Sequence, residues 1–121
     1  MPFHIAKEGS GVYKLFTGFV TTAEFLQSIF EMHSQLDYDQ LRYSINDFRE
    51  VQGHSIRPAD VDLASLISLK ARAVNPEILI AVISCDPGIT DLVRHFADRT
   101  VYRLGCFASL EEARRWIDAA P

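Results

Sequence analysis

The closing run Val101-Tyr-Arg-Leu-Gly-Cys-Phe-Ala-Ser-Leu-Glu-Glu-Ala-Arg-Arg-Trp-Ile117 constrains the architecture most. A strand-like segment, Val101 to Phe107, runs almost directly into Ser109. Ser109 and Glu112 form a Ser-x-x-Glu capping box, in which hydroxyl and carboxylate satisfy two N–H groups that a helix start leaves open. An amphipathic helix over Ser109 to Ala120 follows. A strand feeding a capped helix is the repeating unit of an α/β fold, and looser copies of this unit recur three times upstream.

The rest of the chain supplies those copies. Phe3 to Lys7 reads as a strand, Glu8-Gly-Ser-Gly11 as a turn and Val12 to Phe16 as a second strand, so an N-terminal β-hairpin is expected. Thr21 with Glu24 makes another capping box, and Phe25, Leu26, Ile29, Phe30, His33 and Leu36 keep helical spacing. Leu41, Tyr43 and Ile45 alternate with Arg42, Ser44 and Asn46, the mark of a half-exposed strand. A loop over Asp47 to Arg57 then leads to Pro58 at a helix start. Leu63, Leu66, Ile67, Lys70, Ala71 and Val74 trace the face on which that helix should rest on the sheet, and Asn75-Pro76 stops it. Ile78 to Ile83 is apolar on both faces and reads as a central parallel strand. Asp86-Pro87 caps a further helix, with Ile89, Leu92, Val93 and Phe96 inward.

The expected fold class is therefore α/β, one domain over residues 1–121. It has a mixed, mostly parallel sheet of four to five strands, about four helices and right-handed crossovers. A chain of 121 residues buries about two-thirds of the surface its unfolded form exposes, enough for a core. The net charge of −4, with scattered basic residues, argues against nucleic acid or an anionic membrane as partner. The opening residues hold no apolar stretch suited to a leader, and no window suits a membrane span. Cys85 and Cys106 fall in or at the ends of strands and read as buried, reduced thiols of a cytoplasmic protein.

At this point the chain resembles a family. The Gly-terminated second strand running into Thr21-Thr22-Ala-Glu-Phe, a third strand ending in Asp47, the apolar fourth strand and the closing Phe107-Ala-Ser-Leu-Glu-Glu-Ala-Arg-Arg-Trp look like the SpoIIAA-like group of stand-alone STAS-like proteins. The resemblance covers nearly the whole chain. It implies a bacterial, cytoplasmic, non-enzymatic module that regulates by docking to a protein partner. Anti-sigma factor antagonists of this group carry a phosphorylated serine in an Asp-Ser-Ser-Gly motif at the start of the second helix. Here the matching stretch reads Gly53-His-Ser-Ile56, so Ser55 lies near the phosphoacceptor position without its neighbours.

In open α/β sheets ligands gather at the carboxyl ends of parallel strands. That edge should carry Asp47, Arg49, His54 and Ser55 from one segment and Cys85 and Asp86 from another. The Asp47–Arg57 loop, made pliable by Gly53, is the expected recognition surface, and Arg49→Ala with His54→Ala is expected to spare stability. Cys85 at a helix start, with His54 across the edge, offers a nucleophile–base pair. This defines the alternative reading: a small-ligand-binding protein or enzyme with a pocket around Asp47–Ser55 and Cys85–Gly88. Asp86 reads more simply as an N-cap. His33 and His95 read as packing residues, no pair of histidines has metal-ligand spacing, and no cofactor motif is present. A homodimer is expected through apolar hairpin residues Phe3, Ile5, Val12 and Phe16, should all helices cover one face of the sheet.

Overall fold

A computed structural model describes residues 3–121; the first two residues, which open the stretch read for a leader, lie outside it. The order is β1 (Phe3–Glu8), β2 (Gly11–Val20), α1 (Thr22–His33), a short 3-10 turn (Tyr38–Gln40), β3 (Tyr43–His54), α2 (Pro58–Val74), β4 (Leu79–Ile83), α3 (Pro87–Arg99), β5 (Arg103–Phe107) and α4 (Leu110–Ala119). The five strands lie in sequence order in one sheet. β1 and β2 form the expected antiparallel hairpin, and β2 to β5 are parallel.

Strand side chains alternate between faces, and here both faces are covered. Val12, Phe16 and Phe3 pack under α1, α2 and α3 with Met32, Val61 and Phe96. Ile45, Leu79, Ala81 and Ile83 point the other way and pack on Ala113 and Ile117 of α4. The expectation of one bare sheet face is thereby corrected, and with it the reason for pairing through the hairpin. Phe3, Val12 and Phe16 are core residues of their own chain.

Three element expectations change with physical causes. β3 is not half-exposed, because Ser44, Ile45, Asn46 and Asp47 are all buried between the two helical layers. The segment 47–54 is not a loop. It continues β3 along β2 as far as the His54–Val20 pair, through two register shifts. Gly18 sits at the second shift with φ +67, a conformation that costs other residues energy. Gly53, by contrast, has no positive φ; its missing Cβ leaves room for the Phe19 ring. β4 is interior and parallel on both sides, but β3 occupies the centre of the sheet.

The caps follow the sequence closely. Thr21 and Glu24 form a reciprocal capping box at α1. Asp86 caps α3 by accepting from Gly88 N at 2.9 Å. Ser109 accepts from Glu112 N at 3.2 Å, while the Glu112 carboxylate reaches Ala108 N instead of closing the box.

Candidate functional site

The carboxyl ends of the parallel strands and the starts of all four helices lie along one edge, as the fold class requires. The residues read from sequence do not form one site there. They separate into three groups.

The first group joins the starts of α1 and α2. Ser55 N donates to Val20 O at 3.1 Å, and Ser55 Oγ accepts from Thr22 N at 3.0 Å. Ser55 therefore caps α1 rather than α2. The Thr22 hydroxyl lies 3.0 Å from both Ser55 O and Asp60 Oδ2. Asp60 also accepts from Arg57 N at 2.8 Å. Hydrogen bonds from the Arg57 backbone and side chain hold the Asp60 carboxyl below the usual range, outweighing its burial. His54 Nδ1 accepts from Ile56 N at 3.1 Å, a local turn contact.

The second group is structural. Asp47 is 1% exposed and accepts from Arg49 N, Nε and Nη2 at 3.0, 3.0 and 2.7 Å, and from the Tyr13 hydroxyl. Burial raises its pKa, but the donors from Arg49 and Tyr13 outweigh burial and the carboxyl lies below its ordinary value. Arg49 thus neutralises a buried charge. Removing it leaves that charge uncompensated, which argues that Arg49→Ala costs stability.

The third group is Cys85 and Asp86. Both cysteines are exposed, not buried, and unpaired. Cys85 follows β4, but the Gly88 N–H that would favour a thiolate already serves Asp86. Asp47 pairs with Ile83, and Cys85 stands two residues beyond that pair whereas His54 ends β3 seven residues beyond it. The nucleophile–base pair is not assembled.

Two features escaped the sequence reading. One is the orientation of α2. Its sheet-facing side carries Ala64, Ser65, Ser68 and Ala71, whereas Leu63, Leu66, Leu69 and Val74 are 45%, 65%, 55% and 53% exposed. Of the stripe expected to face inward, Ala71 is buried and Ile67 half-buried, while Leu63, Leu66, Lys70 and Val74 face out. The other is a cavity of about 120 Å³ between the sheet and α1, α2 and α3, lined by Lys14, Phe16, Phe25, His33, Tyr38 and Val82 among others. None of Asp47, Arg49, His54, Ser55, Cys85 and Asp86 lines it. A signal existed: Lys14 stands at an inward position of Val12-Tyr-Lys-Leu-Phe16, where period-two alternation calls for an apolar residue. Among the described residues no cluster of three or more His, Cys, Asp or Glu could hold a metal, and no helix is long and apolar enough to cross a membrane.

The arrangement defines a SpoIIAA-like α/β fold, and solved structures bear this out. The chain is similar to the anti-sigma factor antagonist SpoIIAA in its unphosphorylated form, at 10% identity and a TM-score of 0.67, over 98% of this chain and 99% of that one. It is also similar to an uncharacterised DUF3478-family protein with a SpoIIAA-like fold from Shewanella loihica, at 18% identity and a TM-score of 0.61, over 95% and 91% of the two chains. No protein-family model and no curated protein matches the chain.

Proposed function

We propose that this protein is a non-enzymatic regulatory module that docks another protein through the outward face of α2. The observation that carries the reading is the inverted helix: four large apolar side chains face solvent while alanines and serines face the core. A contiguous exposed apolar stripe marks an interaction surface more often than it marks nothing. Lys70 is exposed on the same helix, which suits a partner with an apolar ridge and an acidic residue beside it. The shared fold supports the reading, since one protein with it is described as an antagonist of another protein. In this reading the module works in the bacterial cytoplasm, with Cys85 and Cys106 as free thiols. Ser55 acts as a capping residue; a phosphate there would stand beside the Asp60 carboxylate.

A homodimer is the second reading, favoured by the spacing of α2. Antiparallel packing of two copies about Leu66 sets Leu63 against Leu69. Capture with the parent protein and with Leu66→Asp, both of unchanged melting temperature, tests the proposal. A partner kept by the parent and lost by the variant supports it; equal retention contradicts it. Sedimentation velocity of the purified chain shows whether the occupant is a second copy.

A further inference from the structure

The cavity beneath α1, α2 and α3 holds an unbalanced set of donors. Lys14 is 3% exposed and lines the cavity, and among the described residues it has no ion pair and no hydrogen bond. Its nearest electrostatic help is the Phe16 ring, 5.7 Å from Nζ to the centroid, and the longer-range charge of Glu31. A buried ammonium without a partner is costly. Tyr38 lines the same cavity, and its hydroxyl is fully buried and unpartnered. Tyr102, close by, donates to Ser68 O at 3.2 Å. His33 links the two. Its ring packs edge-on against Tyr38 at 5.2 Å, and burial with the Lys14 charge depresses its pKa to about 4, so it is neutral near pH 7.

Two buried donors thus border one cavity, and among the described residues no carboxylate stands within hydrogen-bond or ion-pair distance of either. The remaining walls are mostly aromatic and aliphatic, including Phe16, Phe25, Phe96 and Val82. The volume of about 120 Å³ is slightly below the ~150 Å³ of an apolar cavity that admits benzene. We infer that this cavity binds a small organic acid with a short apolar body, of the size of a branched or straight short-chain aliphatic acid. The Lys14 ammonium pairs with its carboxylate and the Tyr38 hydroxyl donates a second hydrogen bond. The inference goes beyond α2 docking and does not depend on it.

The test is ligand-observed NMR and calorimetry on the full chain with propionate, butyrate and isovalerate, each against its neutral amide. Saturable binding of at least one acid, with its amide weaker by about ten-fold or more, is the expected result. Lys14→Met, which keeps the apolar stem, is expected to weaken the acid by about ten-fold or more and leave the amide unchanged. Tyr38→Phe is expected to weaken the acid less. No saturable binding of any acid up to ~10 mM overturns the inference, as does equal binding of acid and amide. The acid–amide comparison on the parent stands even if Lys14→Met fails to fold.

Discussion

The Thr22 hydroxyl, in the first turn of α1, lies 3.0 Å from Oδ2 of Asp60, in the first turn of α2. With Ser55 capping α1 from the strand between them, this contact ties two helix starts together along the carboxyl edge. Thr22→Val is expected to cost about 1 kcal/mol, from a lost hydrogen bond with the rest of the cap intact. Urea unfolding at neutral pH checks it. A midpoint equal to the parent's would show that the two helix starts are held by packing alone.

Arg49→Ala is expected to cost about 2–4 kcal/mol, because it leaves the Asp47 carboxylate buried with the Tyr13 hydroxyl and one backbone N–H as partners. His54→Ala, which removes one turn contact, is expected to stay within about 1 kcal/mol. Melting temperatures of the two single variants separate these outcomes. Equal small losses would place Arg49 back among surface residues.

Acid should weaken the fold in two stages. His33 has a folded pKa of about 4 against an ordinary 6.5. Its contribution is therefore present above 6.5 and is lost as pH falls towards 4. Glu8, Asp47, Asp60 and Asp62 all have lowered folded pKa values. Their contribution is present above the unfolded carboxylate range of about 4 and is lost as pH falls through the folded values. His33→Gln is expected to remove the first stage of the fall in melting temperature and keep the second. A single transition confined to the carboxylate range in the parent would contradict the buried neutral His33.

Alkali should act through Lys14 in the opposite sense. Its folded pKa is about 8 against 10.5, so the charged form weakens the fold below 8 and the penalty is relieved as pH rises from 8 towards 10.5. The groups of opposite or competing charge facing it are Glu31, His33 and Tyr38. Melting temperature is expected to rise between pH 8 and about 10, and Lys14→Met is expected to abolish the rise. A parent curve flat over that range would mean that Lys14 is solvated in the folded state.

Much of the fold was legible because its signals are local. Thr21-x-x-Glu24, Asp86-Pro87 and Ser109 mark helix starts through bonds made within four residues, and the apolar run of β4 marks an interior strand. The extension of β3 through His54 was not legible. Phe48-Arg-Glu-Val-Gln-Gly lacks alternation because two register shifts change which side chains face the core. The orientation of α2 was hidden for another reason. Hydrophobic periodicity reports that a helix has an apolar face, not that this face is the buried one. Of the site residues, Asp86 behaves as its chemistry suggests, while Asp47 and Arg49 pair with each other through a strand the sequence disguised as a loop.

Substitutions on the two faces of α2 should have opposite effects. Leu63→Gln and Leu69→Gln are expected to change stability by no more than about 1 kcal/mol, because about half of each side chain is already in water. Ala64→Leu is expected to cost about 1–3 kcal/mol, because Ala64 is fully buried. Denaturant midpoints of the three variants check the orientation.

The docking claim is tested most directly by photo-crosslinking from two positions in the cell of origin. One photoreactive residue replaces Leu66 on the outward face of α2, and another replaces the exposed Asp118 on α4. The account predicts a discrete protein adduct from position 66, absent from position 118 and lost when Leu63 and Leu69 are both changed to Asp. Equal adducts from both positions, or none from position 66 while position 118 gives one, would contradict it.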